Sequence, residues 1–408
     1  MVTAAVGWLV HRHRPLLTAG DAAIYAAYAR RTLAGQLPYS DFQIEYPPLS
    51  LLPFLMPHLL TGTRELTGRQ YGILFGLSML VLATLVAVVA GRTRRHLPDA
   101  VDPWPVIAFA AAVVLLAPVM LWRYDLVPAL CTALALLAIL RGRPGWSGFA
   151  LGLGVAAKLY PVVLGAVVFA ERLARRDAHG LRALVLGGLA ALTLTVLPAV
   201  VTAPAGLARV WRYHAERGIQ VESVAGGLIL LAARQGWTDA AVVESHGADH
   251  IVSPWADAVR PVLPLATVAG ILLVAALAYR RFRQEEAAGD DTSQTLVAYS
   301  TLALLVFMLT SKVLSPQYCV WLLPLIPLLP TRHSTVVLGA SALTAALYPW
   351  HYWELLRVEL PAVLLLNARN AALLLAALAL LREYAASPVG AAPARESEGH
   401  PGTPPGYR

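Results

Sequence analysis

From Tyr71 to Leu381 the chain alternates apolar stretches with short polar connections, many of them arginine-bearing, which is the pattern of helices that cross or enter hydrocarbon. The apolar runs fall at about 71–90, 105–122, 126–140, 146–157, 160–170, 181–202, 260–279, 296–314, 318–330, 334–349 and 360–381, which predicts about eleven passes. The connections are too short for an independent soluble module, so residues 1–384 are read as a single polytopic membrane domain. The tail, 385–408, is rich in Pro, Gly and Ala and is expected to be a disordered cytoplasmic segment. Ahead of the first run, VTAAVGWLV is too short to span and is followed by His11, Arg12, His13 and Arg14, so the first helix is expected to be abbreviated. The predicted fold class is an all-α polytopic membrane protein with its outer-face loops forming the site.

Two stretches depart from the simple pattern. In AAKLYPVV, Lys158 and Pro161 interrupt what would otherwise be one long apolar block, which predicts a broken helix pair with a lysine at membrane depth. The longest polar connection, 203–259, contains VAGGLILLAARQGW, a weakly amphipathic stretch expected to lie on the membrane surface.

Composition places the chain among integral membrane proteins: 58% of residues are hydrophobic and 14% charged, against about 25% charged in an ordinary soluble protein. The net charge of +8 comes mostly from arginines gathered in particular loops, at 92, 94 and 95, at 141 and 143, at 172, 175 and 176, and at 280, 281 and 283. That distribution is a topology signal and not a nucleic-acid patch. With the arginine-rich loops in the cytoplasm, the alternation puts the 20–68 segment, the Trp122–Asp125 turn, Lys158 with Tyr160, the 203–259 loop, the Lys312–Gln317 turn and the Trp350–Glu359 loop together on the other side. Cys131 and Cys319 lie within or beside apolar runs, as small hydrophobes do, and give no sign of a disulfide framework or a metal site.

The outer segments carry the candidate chemistry. Asp21 opens DAAIYAAYARR, where it either caps a helix or takes a proton from an attacking hydroxyl. Asp41 and Glu45 sit in PYSDFQIEYPPL, whose prolines argue for an irregular loop. They are candidates for binding sugar hydroxyls beside Tyr39, Phe42 or Tyr46, against ordinary loop solvation. WRYDL offers Arg123 and Asp125 as a local ion pair at the interface, or Arg123 as a bidentate grip on a lipid phosphate. Lys158, with Tyr160 beside it, carries an insertion cost of about 3 kcal/mol, offset by snorkelling or by a phosphate headgroup. WRYHAERGIQVESVAG adds His214, Arg217, Gln220 and Glu222. LTSKVLSPQYCVWLLP adds Lys312, Gln317 and Tyr318, with Lys312 and Gln317 expected to face the same cavity as Lys158. His351, among three aromatics, belongs to an interfacial belt or touches substrate.

Taken in order, GDAAIYAAYARRTLAGQLPYSDFQIEYPPL, RYDL, AAKLYPVVL, YHAERGIQVES and SPQYCVWLLP resemble the motif series of glycosyltransferase family 87, the integral-membrane mannosyltransferases that depend on polyprenol-phosphate-mannose. The resemblance implies a GT-C architecture and inverting transfer of mannose from polyprenyl-phosphate-mannose to a glycolipid or glycan acceptor, on the extracytoplasmic face of a bacterial plasma membrane. It implies no nucleotide sugar, no obligatory metal and no nucleic-acid partner. Residue by residue, it matches the family's first-loop aspartate to Asp21, the basic residue of its KLYP-like motif to Lys158, and its ESV-like and SPQY-like motifs to Glu222 and Gln317. The residues suit that chemistry. Attack on an anomeric carbon needs one carboxylate for the acceptor proton and cations for the departing phosphate. Asp21 fits the first role, and Lys158, Arg217, Lys312 and Arg123 the second. A phosphate leaving group needs no second carboxylic acid, unlike the glycosidase scheme. The alternatives are a transporter or flippase of a lipid-linked saccharide, using the same cations without a base, and an arabinofuranosyltransferase-like enzyme with another polyprenyl-phosphate sugar.

Overall fold

A computed structural model of the chain describes residues 21–98 and 101–386. The expected abbreviated first helix and nearly all of the expected disordered tail lie outside the described residues. The described chain is mostly helical, and five of its helices are long and apolar enough to cross a membrane. They are α3 (Gly68–Arg94), α8 (Ala178–Thr202), α12 (Val262–Ala288), α13 (Ser293–Thr310) and α16 (Leu360–Ala386). Shorter apolar helices fill in between: α2 (Leu51–Thr61), α4 (Trp104–Met120), α5 (Leu126–Leu140), α6 (Pro144–Ala157), α7 (Pro161–Ala174) and α14 (Thr331–Ala345).

Local chemistry sets the ends of these helices. Thr67 and Gln70 form a reciprocal capping box at the start of α3, and Asp177 accepts from the Gly180 amide at the start of α8. The block around Lys158 breaks as its sequence predicts. Lys158 leaves α6 in an extended conformation (φ −161°, ψ 137°), and α7 restarts at Pro161, where the missing N–H costs nothing. The predicted run at 318–330 is not an α-helix. It forms two short 3₁₀ turns, Pro316–Leu322 and Ile326–Leu328, because prolines at 316, 324, 327 and 330 deny it a continuous hydrogen-bond ladder. Irregular backbone of this kind is stable at membrane depth only when protein surrounds it. Trp321, Leu322, Leu323, Leu325 and Ile326 are accordingly all buried.

α13 lies in the largest core cluster: its Val297, Ala303, Leu304, Leu305 and Met308 are buried, and it packs against α12, α16 and α7, with a smaller contact on the 3₁₀ segment Pro316–Leu322. By contrast, only 11% of the apolar windows of α8 and α12 is covered by protein. Leu186, Leu194, Val201, Leu265, Leu272 and Leu273 stay exposed there, forming the surfaces that lipid would cover. α8 is anchored to α6 by glycines. A Cβ on Gly148 would fall 1.9 Å from the Leu184 carbonyl oxygen, and one on Gly152 2.6 Å from that of Gly188. This is small-residue backbone contact of the small-xxx-small type.

The connection 203–259 is more structured than a surface loop. It holds α9 (Pro204–Glu216), strand β1 (Ile219–Gln220), α10 (Val224–Arg234), a hairpin of β2 (Ala241–Ser245) and β3 (Ala248–Val252), and α11 (Pro254–Val259). The strands form an antiparallel sheet in the order β1–β3–β2, with Gln220 opposite His250 and Val243 on the other side of the same residue. This small sheet is an addition to the all-helical expectation. The stretch VAGGLILLAARQGW forms α10, which is docked against α16. Gly227 there lets Asn367 approach closely enough to donate to its carbonyl at 3.0 Å, and Ile229 and Leu230 are buried.

Candidate active site

A cavity of about 800 Å³ opens where these connecting segments meet, within the size range of small-molecule sites. It is lined by α1 (Asp21–Leu33) with the loop that follows it, the turn before α5, the α6–α7 break, part of α8, the α9-to-hairpin region, the segment between α13 and α14, and the turn after α14. Of the residues singled out from sequence, Asp21, Glu45, Tyr46, Arg123, Lys158, Tyr160, His214, Arg217, Gln220, Glu222, Lys312, Gln317 and Tyr318 all line it. The carboxylate of the first segment and the basic side chains thus share one hollow.

α1 is seated by aromatic packing. Tyr25 stacks on Phe54 with ring centroids 4.2 Å apart, and Tyr46 and Tyr124 meet the same pair edge-on. This fixes Asp21 beside Arg123, with which it forms an ion pair, and Tyr25 donates to Asp21 Oδ2 at 3.2 Å. The two faces of WRYDL therefore do not pair with each other. Arg123 goes to Asp21, and Asp125 goes inward to Lys158, whose Nζ lies 2.7 Å from Asp125 Oδ1. Trp321 Nε1 also donates to Asp125 Oδ1. Lys158 Nζ sits 5.1 Å from the Tyr124 ring centre and 5.4 Å from that of Trp321, a cage suited to an ammonium. Tyr160 stacks under Trp321 with centroids 4.3 Å apart, so this largely buried ring serves as the floor of the site.

The opposite wall comes from α9 and the turn after α13. Lys312 Nζ donates to the carbonyls of Ala215 at 2.7 Å and Arg217 at 2.8 Å, closing the end of α9. Burial and the nearby Arg217 guanidinium push the Lys312 ammonium below its usual range. Arg217 makes no ion pair among the described residues and its Nε is buried without a partner. His214 Nε2 lies 2.9 Å from the Glu45 carbonyl oxygen, tying α9 to the first loop.

Three expected site residues stand elsewhere. Asp41 is exposed, accepts from the Leu37 amide at 2.8 Å and holds its own tight turn, the ordinary work of a loop aspartate. Asp125 is 1% exposed and does not line the cavity; it lies behind Lys158 as its counter-ion. His351 is exposed and absent from the lining, whereas its neighbours Tyr348 and Tyr352 face the cavity. Tyr39 and Phe42, expected as stacking platforms, are instead buried with Ile44 and Val210 in a small cluster of their own.

Several lining groups were missed from sequence. Asp249, His246 and Gly247 arrive on the β2–β3 hairpin, and Tyr213, Tyr348 and Tyr352 complete that end. Arg369 lies behind it, fully buried in α16, and its Nη2 donates to the Glu222 carbonyl at 2.6 Å. An arginine within the run 360–381 is itself a signal that would have found it. Among the described residues no cluster of three or more His, Cys, Asp or Glu side chains is placed to hold a metal ion.

Several long helices with exposed apolar faces, around a cavity that combines a carboxylate with several cations, define a multi-pass membrane protein. The family model of glycosyltransferase family 87 matches residues 44–311, and the chain belongs to that family. It is a membrane glycosyltransferase. Among solved structures, ArnT from Cupriavidus metallidurans in the apo state is similar, with 16% identity and a TM-score of 0.48, covering 94% of this chain and 78% of that one. No curated protein matches the chain.

Proposed function

We propose that the enzyme transfers mannose from polyprenyl-phosphate-mannose to a glycolipid or glycan acceptor, with inversion, on the extracytoplasmic face of the plasma membrane. Asp21 is the general base in this reading and takes the proton of the attacking acceptor hydroxyl as its oxygen bonds to the anomeric carbon. As the bond from the anomeric carbon to the phosphate oxygen breaks, negative charge grows on the phosphate, and Arg217 and Lys158 answer it. The ion pair with Arg123 and the hydrogen bond from Tyr25 orient the Asp21 carboxylate at the cavity wall. A single observation carries the reading: Asp21, Arg123, Lys158, Arg217 and Lys312 line one cavity although they come from segments almost 300 residues apart, from 21 to 312.

The donor is tested by supplying membranes that contain the protein with radiolabelled polyprenyl-phosphoryl-mannose or with nucleotide-linked mannose, while endogenous polyprenyl-phosphate-mannose synthesis is blocked. Protein-dependent labelling of a glycolipid or glycan from the lipid donor alone supports the proposal. Labelling from the nucleotide sugar alone, or from neither, contradicts it.

A further inference from the structure

The cavity has a second end whose chemistry differs from that of the phosphate-facing wall. Glu222 is 1% exposed, yet no cation meets its carboxyl: Arg369, the nearest buried guanidinium, bonds to the Glu222 carbonyl oxygen at 2.6 Å instead. Glu222 Oε2 accepts from Gln220 Nε2 at 3.0 Å, while Oε1 is buried with no partner. Gln220 is itself fixed to Ser315 Oγ at 2.7 Å, and Ser223 locks the backbone by capping α10 and donating to the Gln220 carbonyl. A rigid, unpaired buried oxygen at a cavity wall is an incomplete hydrogen-bonding site. Across from it, Asp249 lines the same cavity and accepts from the Tyr352 hydroxyl at 2.6 Å, and Tyr348 meets Tyr352 edge-on with centroids 5.4 Å apart.

We propose that this end is a subsite for an uncharged sugar ring, where Glu222 donates a hydrogen bond to a sugar oxygen, Asp249 accepts one from a sugar hydroxyl, and Tyr348 and Tyr352 form the walls. A phosphate would find no cation on Glu222 and a carboxylate in Asp249, so the polyol part of a substrate fits here and its charged part does not. The inference rests on the glycosyltransferase reading, and it deepens that reading by giving the cavity a sugar-recognition element outside the cationic wall. The groups facing Glu222 are Arg369 from α16, Cys319 and Tyr318 from the 3₁₀ segment, Asp249 from β3, Arg123 from the turn before α5 and Tyr352 from the short helix α15 (Tyr352–Leu356). Burial pushes the Glu222 carboxyl up to about 8, with Asp249 adding to the rise and Arg369 and Arg123 opposing it. At neutral pH Glu222 therefore carries the proton that a donor needs.

The test is binding of three probes to the full-length protein in nanodiscs: farnesyl phosphate, which has no sugar; farnesyl-phosphoryl-mannose; and α-1,6-mannobiose as a free sugar. Glu222→Ala and Asp249→Asn should each weaken a sugar-bearing probe by about tenfold, the cost of one well-placed hydrogen bond, and leave farnesyl phosphate unchanged. Loss with farnesyl-phosphoryl-mannose assigns the subsite to the transferred sugar, and loss with mannobiose assigns it to the acceptor. Glu222→Gln, which keeps a donor and folds without a buried charge, should recover most of the affinity that Glu222→Ala loses. The wild type should lose sugar affinity as pH rises through about 8, and Glu222→Gln should not. Unchanged sugar binding in both Glu222→Ala and Asp249→Asn, or an equal loss of farnesyl phosphate, overturns the subsite. Failure of farnesyl phosphate to bind the wild type instead counts against the lipid-phosphate donor, and mannobiose then judges the subsite alone.

Discussion

Asp125 and Lys158 face each other with 2.7 Å between carboxylate oxygen and ammonium nitrogen, and Asp125 is almost wholly shielded from solvent while Lys158 reaches the cavity. The pair joins the turn before α5 to the break between α6 and α7, so one electrostatic contact sets both the depth and the direction of the lysine. A buried pair is costly to break from one side, because the remaining charge is left without a partner. Asp125→Ala is therefore expected to destabilise the protein by about 3–5 kcal/mol. Asp41→Ala, at an exposed turn, should cost about 1 kcal/mol or less. Thermal unfolding of the detergent-solubilised variants checks both, and equal melting temperatures would contradict the assignment of Asp125 as a counter-ion.

Among the described residues Arg217 and Lys312 are cavity cations without a carboxylate, but Lys312 is held by two backbone carbonyls, whereas Arg217 keeps a buried Nε with no partner and Arg123 and Lys158 are already paired. A lipid phosphate should gain most from Arg217. Arg217→Ala is expected to weaken farnesyl phosphate binding by about 1.5–3 kcal/mol, and Arg217→Lys should not restore it fully, because a bidentate fork becomes a point charge. Titration of nanodisc-embedded protein with farnesyl phosphate gives the answer, and full affinity in Arg217→Ala would move the phosphate elsewhere.

Gly148 crosses α8 so closely that a Cβ would sit 1.9 Å from the Leu184 carbonyl oxygen, whereas one on Gly165 would meet only Leu151 Cδ1, at 3.8 Å. Gly148→Leu should separate α6 from α8 and abolish recovery of monodisperse protein. Gly165→Ala should be tolerated. Size-exclusion profiles of the two variants distinguish these outcomes.

Glu222 also predicts a pH dependence of stability. Its carboxyl is raised from 4.5 to about 8 by burial, so the folded state holds a proton that the unfolded chain releases. The contribution of Glu222 is complete below about 4.5, is lost progressively as pH rises through about 8, and stays lost above that. Glu222→Gln should therefore gain stability relative to the wild type, by a few kcal/mol, as pH rises across that window. Melting temperatures of the two proteins taken between about pH 5 and pH 9 follow the difference. A constant offset would show that Glu222 is ionised throughout.

Much of this architecture was legible in residue order alone, for a physical reason: hydrocarbon demands long apolar helices, and it penalises the exceptions enough to make them visible. The break at Lys158 and Pro161 is such an exception, and the convergence of Asp21, Lys158, Arg217, Lys312 and Gln317 on one hollow followed from placing their loops on one side. The misreadings have physical causes too. Pro324, Pro327 and Pro330 turn an apolar run into buried 3₁₀ backbone, a distinction that hydropathy does not carry. Arg123 and Asp125 are two residues apart and read as a local pair, but each reaches a partner from a different segment, and periodicity says nothing about such long-range choices. The hairpin bearing Asp249 was hidden because short strands in a polar connection leave only a weak alternation, AVVES and ADHIV. The glycines at 148 and 152 did spell a small-xxx-small spacing that was open to reading.

The central claim is that Asp21 is the base of a sugar transfer. The most direct measurement is single-turnover transfer of mannose from polyprenyl-phosphoryl-mannose by wild type and Asp21→Asn in the same membranes, with farnesyl phosphate binding measured in parallel. The account predicts a loss in transfer rate of about 10²–10⁴-fold for Asp21→Asn, with phosphate binding within a few-fold of wild type. Transfer at the wild-type rate by Asp21→Asn, with binding intact, would contradict it.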